Sequence, residues 1–281
     1  MMKRSFEELS QGTVSYLESG SEHTITLLFF HGNSSCAESY HYQLSAFSSR
    51  FHCLAMDFLG HGESSPALEP QAYSFAGCAQ QISEFIKAKD LNNVVLVGHS
   101  LGGHAANDAL PNIDGVLGAV FVGAPPFNGD TIQRAFEPDP SDGLIFEESL
   151  TTDEIDFLSG LFVNREVIDS SDYSRVMSAI KKTHSKVRPS ILDGLASGDF
   201  VDEIRVLQRE SFPVLIIQGE LDGFLSNQYL LSKEIKSISE VETIILPDCK
   251  HVPHLENPQA FNEVFHVFLK QHVELHAEAV L

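Results

Sequence analysis

The sequence has little that would take the chain into or across a membrane. None of its segments approaches the roughly 18 consecutive apolar residues of a membrane helix. Basic residues occur near the start, at Lys3 and Arg4, but no apolar run follows them, so we expect no secretory signal. These two features predict no membrane insertion and a cytoplasmic location.

Cysteine is scarce and widely spaced. The chain contains four cysteines and no Cys-x-x-Cys pair. This spacing disfavours a zinc site and is typical of reduced thiols in a cytosol. The four positions are Cys36, Cys53, Cys78 and Cys249.

Positive charge is also in short supply. Lys and Arg number 18 against 39 Asp and Glu, which gives a formal net charge of −21. A field of that sign repels phosphates and carboxylates, so the composition disfavours nucleic acid and anionic substrates. We expect the partner to be a neutral small molecule.

Strand and helix patterns alternate along most of the chain, and no internal repeat is present. Alternation of this kind predicts an α/β fold, with a mostly parallel, doubly wound sheet joined by right-handed crossovers. The predicted strands cover residues 13–18, 24–30, 52–56, 94–97, 116–123, 213–218 and 242–246. The predicted helices cover residues 38–48, 73–89, 101–110, 227–236 and 258–271.

The alternation stops between residues 127 and 212. This stretch has no strand pattern, is rich in Asp and Glu, and contains scattered phenylalanines. It is too long for a loop of a compact domain. We therefore predict one core domain made of residues 1–126 and 213–281, with residues 127–212 inserted as a helical cap over the carboxyl edge of the sheet.

The stretch from Val94 to Gly103 is the most informative in the chain. Four apolar residues, three of them β-branched, predict a strand buried on both faces. Residues 98–102 then read Gly-His-Ser-Leu-Gly, and a helix pattern follows. Such a sharp turn exposes its serine on a strained corner, and the glycines let strand and helix close on each other. Ser100 is therefore the predicted nucleophile.

A serine nucleophile needs a general base, and the base needs a carboxylate to orient it. In this architecture the acid and then the base follow the serine, each just past the end of a strand. Asp222 and His251 meet both requirements. Two other acids are available, since Glu220 is closer to the strand end and Asp248 is nearer to the base in sequence. His254 is the rival base.

Five motifs in this order resemble the α/β-hydrolase fold superfamily, and the resemblance spans nearly the whole chain. It implies that the first histidine of the last motif, His251, is the base. It also implies an oxyanion hole made by the backbone N–H groups of Asn33 and Leu101, which would face the oxygen where charge develops. The motifs are Phe30-His31-Gly32-Asn33, Asp-x-x-Gly-His-Gly-x-Ser at 57–64, Gly98 to Gly103, Gly219-x-x-Asp222 and His251-x4-Glu256-x-Pro258.

The superfamily resemblance assigns two further sets of roles. Dehalogenases and epoxide hydrolases of this fold use an aspartate at the turn, so a serine there implies an acyl-enzyme. Four residues in the flanking loops take structural roles, and His99 packs under the turn. The loop residues are His31, Asp57, His61 and Gly62.

Residues 31–35, 100–104 and 123–126 are similar to N-acyl-homoserine lactonases of this fold, which quench quorum sensing and need no metal. This similarity implies that the chain opens an N-acyl-homoserine lactone, or cleaves a simple ester, without a metal or other cofactor. Relatives vary between Asp and Glu at the acid, so Asp222 is carried over by position. The acyl tail would contact cap phenylalanines, and the Asn33 side chain a polar group of the substrate. The predicted contacts are Asn33, Phe127, Phe136 and Phe157.

Three other functions share these motifs. A general carboxylesterase has all of them. A carbon–carbon hydrolase acting on a diketone product would need a cationic group in the cap to hold a substrate carboxylate, although the cap is acidic. A non-catalytic ligand-binding protein of this fold typically has an eroded triad, and the sequence shows no erosion. Four arginines that could serve this purpose in the cap are Arg134, Arg165, Arg175 and Arg188.

Overall fold

The computed structural model of the chain describes residues 2–274, and a single β-sheet runs through this range. The strands are β1 (Lys3–Leu9), β2 (Gly12–Ser19), β3 (Thr26–Phe30), β4 (His52–Met56), β5 (Val94–His99), β6 (Val116–Val122), β7 (Val214–Gly219) and β8 (Val241–Leu246). All seven predicted strands are present, each within two residues of its predicted limits. The parts of the predicted core domain at Met1 and residues 275–281 lie outside the described residues.

Six parallel strands place their carboxyl ends at one edge of the sheet. The strand order is β1-β2-β4-β3-β5-β6-β7-β8. β2 pairs antiparallel with β1 and β4, whereas every later pair from β4 to β8 is parallel. β3, β5 and β7 are buried along their whole length, as their apolar runs require. The predicted α/β class and mostly parallel sheet are confirmed.

The edge strand β1 was not predicted from the sequence. It pairs with β2 across a two-residue turn, with Leu9 opposite Gly12. None of its residues is buried, and Phe6 is 57% exposed. Pairing with β2 therefore fixes this strand in the sheet, and its sequence does not need an alternating apolar pattern.

Helices cover both faces of the sheet. They are α1 (His41–Phe47), α2 (Phe75–Ala88), α3 (Leu101–Ala109), α4 (Ile132–Ala135), α5 (Thr152–Phe162), α6 (Ser170–Lys182), α7 (Val187–Ser197), α8 (Glu203–Leu207), α9 (Pro253–Glu256) and α10 (Pro258–Phe268). On one face α2 buries Ile82, Phe85 and Ile86, at the i, i+3, i+4 spacing of an amphipathic helix. On the other face α10 buries Phe261 and Phe265 beside α1.

Residues 127–212 lie between β6 and β7 and contain helices α4 to α8. No strand forms within this stretch, all of which is described, and its one isolated β-bridge joins Phe136 to Leu225. The stretch bonds to loops at the carboxyl edge of the sheet. The His184 N–H donates to the Gly60 carbonyl at 2.8 Å, and the Phe162 carbonyl accepts from the loop after β8 at 2.9 Å.

The helix predicted over residues 227–236 is wrong. Only two short 3-10 turns form there, Tyr229–Leu231 and Ile235–Ser237. Serine side chains interrupt the helical pattern, since the Ser232 hydroxyl accepts from the Ile235 N–H and the Ser237 hydroxyl donates to the Glu234 carbonyl. Such local bonds offer the backbone an alternative to helix.

The structure also bears on the predictions about membrane insertion and about the cysteines. Among residues 2–274, no helix combines the length and the apolar composition needed to cross a membrane. Each of the four cysteines is buried as a free thiol.

Candidate active site

Ser100 occupies a strained turn between β5 and α3. Its backbone has φ 49° and ψ −120°, a conformation that residues other than glycine rarely adopt. A Cβ on Gly98 would lie 2.4 Å from the Gly102 carbonyl oxygen. The strand β5 and the helix α3 can therefore approach each other this closely only because residue 98 is a glycine. A Cβ on Gly102 would instead lie 2.4 Å from the Phe30 carbonyl oxygen. The second glycine therefore serves the approach of α3 to the end of β3, and not the strand–helix contact that the sequence predicted.

Asp222 and His251 meet at the same edge of the sheet. His251 Nδ1 lies 2.8 Å from Asp222 Oδ2, and both side chains are buried. The other carboxylate oxygen of Asp222 accepts from the Phe224 N–H at 2.9 Å. An ionised Asp222 accepts the Nδ1 proton, which leaves the Nε2 lone pair of His251 free to take a proton. Ser100 and His251 line the same cavity.

The rival residues from the sequence are placed elsewhere. Glu220 is exposed, and its carboxylate accepts from the Asp248 N–H at 3.4 Å. The carboxylates of Glu220 and Asp248 do not bond to the His251 ring, whose Nδ1 contacts Asp222. His254 is fully buried and stacks on Tyr40 with ring centroids 4.4 Å apart. Burial lowers the pKa of His254 to about 3. An imidazole so weakly basic is a poor acceptor of a proton from serine.

Glu256 holds the loop that carries His251. Its carboxylate accepts from the backbone N–H groups of Lys250 at 3.0 Å and Val252 at 3.0 Å, the two residues that flank the histidine. It also accepts from the Asn164 N–H at 2.6 Å. Burial raises the pKa of Glu256 above its ordinary value, and the hydrogen bonds from these three donors offset only part of that rise. The last sequence motif thus places a buried acid where it fixes the backbone of the histidine loop.

Asn33 and Leu101 present free backbone N–H groups beside Ser100. Leu101 opens α3 and Asn33 follows the end of β3, and both residues line the cavity. Neither N–H donates to another group within residues 2–274. The Asn33 side chain does not face free space, because its Nδ2 donates to the Ile145 carbonyl at 3.2 Å. The backbone donors are therefore available to an oxyanion, and the side chain ties the loop to the inserted stretch.

The loop residues that the resemblance called structural are held by buried bonds. Asp57 accepts from the Ala37 N–H at 2.6 Å and from the Arg4 guanidinium at 2.8 Å. His31 Nε2 accepts from the Phe58 N–H at 3.0 Å. His61 Nε2 accepts from the Ser34 N–H at 3.2 Å. His99 donates from Nε2 to the His251 carbonyl at 2.8 Å and so holds the backbone of His251. A Cβ on Gly62 would lie 2.2 Å from an Asp57 carboxylate oxygen.

Arg188 lies on α7 and contacts the loop that carries Asn33, and no sequence signal indicated this contact. It is buried, and its guanidinium donates to the Ser34 hydroxyl at 3.3 Å and to the Glu147 carbonyl at 2.7 Å. Ser34 in turn donates to the Asn33 side chain at 3.0 Å. Burial lowers the pKa of Arg188. The arginine therefore links the inserted stretch to the Asn33 loop, and it does not line the cavity.

An apolar cavity of about 590 Å³ opens beside Ser100. Its volume lies in the range of small-molecule sites. Of the three phenylalanines predicted to contact substrate, Phe136 lines it. The structure does not bring Phe127 or Phe157 to its wall, because Phe127 is fully buried behind Phe136 and Phe157 is 50% exposed at the surface. The apolar lining is Phe75, Leu101, Ile132, Phe136, Ile145, Phe146, Ile191, Leu195, Phe224 and Leu225.

A buried acid lies behind the cavity on α3. Asp108 has one carboxylate oxygen, Oδ2, without a hydrogen-bond partner in the described residues, and Glu203 is a second acid nearby. Burial, together with the negative charge of Glu203, raises the pKa of Asp108 from 3.8 to about 8. The folded protein therefore keeps this carboxyl protonated at neutral pH.

We expect Asp108→Asn to stabilise the protein increasingly as pH rises from 4 to 8. At low pH the carboxyl is protonated in both states and the substitution has little effect. Above pH 4 the unfolded chain releases the proton while the folded chain retains it, so the stability of the parent falls and that of the variant does not. Thermal unfolding should show a gain of about 1–3 kcal/mol at pH 8. A gain in the free energy of unfolding that did not change with pH would contradict the raised pKa of Asp108.

The sequence matches the model of the alpha/beta hydrolase family over residues 27–264, a range that includes every site residue described above. The chain belongs to the alpha/beta hydrolase family. The recognition made from the five motifs is thereby confirmed, and the architecture of the sheet agrees with it.

Solved structures of this hydrolase fold cover almost the whole chain. A variant of the N-acyl homoserine lactonase AidH in complex with N-hexanoyl homoserine has a TM-score of 0.88 at 22% identity, with 98% of each chain covered. A putative aryl esterase from Burkholderia cenocepacia has a TM-score of 0.82 at 18% identity, with 96% of this chain and 99% of the esterase covered. The hydrolase is thus similar in fold to lactonases and esterases.

Curated relatives with known names are also distant in sequence or match only part of the chain. A 2-(acetamidomethylene)succinate hydrolase from Mesorhizobium japonicum is 25% identical over 239 residues, which cover 83% of this chain and 84% of the relative. A probable 1-acylglycerol-3-phosphate O-acyltransferase from Oryza sativa subsp. japonica is 33% identical over 114 residues. That match spans 39% of this chain and only 28% of the rice protein.

Proposed function

We propose that this hydrolase cleaves neutral carboxylic esters or lactones through an acyl-enzyme on Ser100. The observation that carries the proposal is the meeting of three features at one apolar cavity. A serine stands on a strained turn, a buried His251–Asp222 pair lies beside it, and two free backbone N–H groups flank it. Acyl transfer needs a nucleophile, a base and an oxyanion hole in this arrangement.

In the first half of the reaction, the Ser100 hydroxyl attacks the carbonyl carbon while its proton passes to Nε2 of His251. The carbonyl oxygen becomes an oxyanion that accepts from the N–H groups of Asn33 and Leu101. Asp222 holds the charged imidazole through Nδ1–H. The C–O bond to the leaving alcohol then breaks, and His251 returns the proton to the alcohol oxygen.

In the second half, His251 takes a proton from water, and the resulting hydroxide attacks the acyl carbon. Collapse of this second intermediate breaks the bond to Ser100 and returns the proton to its oxygen. With a lactone, the leaving alcohol remains tethered to the acyl group and can close the ring again. Hydrolysis of the acyl-enzyme must then be faster than this reversal.

The cavity favours a neutral substrate with an apolar chain. We propose that residues 127–212 serve as the cap of the site, since Phe136, Ile145 and Ile191 from this stretch line the cavity. Each methylene group buried there contributes about 0.8 kcal/mol to binding. This supports the acyl tail of an N-acyl-homoserine lactone as the preferred occupant. The AidH structure in complex with N-hexanoyl homoserine supports the same substrate class by analogy of fold.

The cap arginines argue against a substrate with a carboxylate, and so against the carbon–carbon hydrolase. None of the four named from the sequence lines the cavity, and neither do Arg205 and Arg209. Arg134 pairs with Glu234 at 2.9 Å, and Arg165 pairs with Asp156 at 2.8 Å. The remaining two of these four contact Asp172 and backbone carbonyls, respectively.

The test is a comparison of kcat/KM for N-acyl-homoserine lactones of 4 to about 12 acyl carbons with 4-nitrophenyl esters of the same acids, using Ser100→Ala as the blank. We expect the lactones to exceed the esters by about tenfold or more at the best chain length, because the cavity binds the chain and the ring together. Preference for the esters at every length would favour a general carboxylesterase. Failure to cleave either class would overturn the proposal.

A further inference from the structure

A second buried histidine–carboxylate pair lies in the wall of the same cavity. His104 Nδ1 is 2.9 Å from Glu203 Oε1, and the other oxygen of Glu203 accepts from the Phe127 N–H at 3.0 Å. Both side chains are buried, with exposed fractions of 4% and 1%. The mechanism above uses neither residue.

Aromatic contacts fix the orientation of the His104 ring. Phe75 stacks on it with ring centroids 5.2 Å apart and planes 7° from parallel, and Phe127 meets its edge at 5.0 Å. His104 is one of the residues that line the cavity. Its second nitrogen, Nε2, has no hydrogen-bond partner within residues 2–274, and it is not completely buried. This nitrogen therefore opens to the cavity.

The burial of the pair indicates which role Nε2 plays. Burial raises the pKa of Glu203, which favours forms of the pair that hold one proton more than a neutral imidazole with a carboxylate and so carry no net charge. The negative charge of the neighbouring Asp202 raises the pKa of Glu203 further. Two neutral forms exist, an imidazolium with a carboxylate and an imidazole with a carboxylic acid. In both forms Nε2 carries a proton.

We propose that His104 Nε2–H donates a hydrogen bond to an oxygen atom on the chain of the substrate, so that the cavity selects oxygen-bearing acyl groups over plain alkyl chains. The inference rests on the proposed function, which places that chain in the cavity. A plain chain would leave the N–H without a partner, whereas a keto or amide oxygen at the matching carbon would satisfy it.

The position of His104 limits where this oxygen can be. His104 lies one helical turn after Ser100, and its N–H donates to the Ser100 carbonyl at 3.1 Å. Both residues line the cavity. The oxygen is therefore expected within a few bonds of the scissile carbonyl, as in the amide of an N-acyl-homoserine lactone or a 3-oxo group.

The experiment compares 4-nitrophenyl octanoate with octanoates that carry a keto oxygen on carbon 3, 4 or 5. Rates are expressed per serine that reacts with a fluorophosphonate, so that misfolded protein does not count. At the best position we expect kcat/KM for the keto ester to exceed that for octanoate by about tenfold. A ratio near one at every position would overturn the proposal without any variant.

Two matched variants distinguish the effect of the His104 N–H donor from the effect of the packing of its ring. In Glu203→Gln the new amide N–H donates to Nδ1, which keeps the proton on Nε2, so the keto preference should remain within about twofold. In the double variant His104→Phe/Glu203→Gln the ring stacking remains and the donor is lost, so the ratio should fall to about one. If that protein does not fold, His104→Leu/Glu203→Leu replaces it. A keto preference retained without His104 would contradict the proposal.

Failure of this inference can be told from failure of the proposed function. Ser100→Ala is assayed on the same four esters. If it still turns them over, the acyl-enzyme mechanism fails whatever the keto ratio is. If it is inactive and the ratio is one, only the role of His104 is lost.

Discussion

Replacing Ser100 by alanine is expected to lower kcat for ester hydrolysis by about 10⁴- to 10⁶-fold. The substitution removes the only atom that would bond to the acyl group, and it leaves the oxyanion donors Asn33 and Leu101 in place. The residual rate would come from these donors and from binding. The measurement is release of 4-nitrophenol at saturating substrate.

The control for this substitution is Ser83→Ala on α2. The Ser83 hydroxyl donates to the carbonyl of Ala79 in its own helix, and Ser83 does not line the cavity. We expect its rate to stay within about twofold of the parent, as for a surface substitution. Activity of a tenth or more in Ser100→Ala, with the protein folded, would remove the serine from the mechanism.

Asp222→Asn should lower kcat by about 10⁴-fold. The carboxylate accepts the Nδ1 proton of His251 at 2.8 Å and so leaves a lone pair on Nε2. An asparagine amide can donate to Nδ1 instead, which moves the proton to Nε2, where it blocks proton transfer from the serine. The same change removes the negative charge that stabilises the imidazolium.

Glu220→Gln is the matched control for Asp222→Asn, because Glu220 was the rival acid and follows the same strand. Its side chain is exposed and contacts the Asp248 N–H, so the rate should change by less than about twofold. A large loss in Glu220→Gln, with Asp222→Asn nearly as active as the parent, would reverse the assignment of the acid.

The sequence predicts much of the fold because buried parallel strands leave a strong pattern. Residues 94–97 and 213–218 are apolar runs bounded by glycine or proline, and both form strands of the sheet. The turn at Ser100 is predicted for a related reason. The close approach of backbones at Gly98 admits no Cβ, so the structure requires the residue that the motif displays.

Other features depend on contacts between residues distant in the chain, and these leave no local pattern. The strand β1 is held by pairing with β2, and Phe6 on it is exposed. The scattered phenylalanines of the inserted stretch look alike in sequence. Phe136 lines the cavity because its neighbour Phe127 is packed behind it, which only the three-dimensional arrangement decides.

Buried charges were the hardest part of the site to predict. Arg188 is one of six arginines in the inserted stretch, and nothing in its sequence context distinguishes it from those that pair with surface acids. Its burial follows from the carbonyl groups of Glu147 and Ile180, which converge on it in the folded chain. Glu203 is likewise one acid among many until α8 carries it to His104 on α3.

Reaction with a fluorophosphonate, followed by peptide mapping by mass spectrometry, tests directly whether Ser100 is the nucleophile. We expect one phosphonyl group per chain, located on Ser100, with ester hydrolysis lost in proportion to labelling. Labelling should be absent in Ser100→Ala. A protein that remains fully active after Ser100 is labelled, or that loses activity through labelling of another residue, would contradict the account.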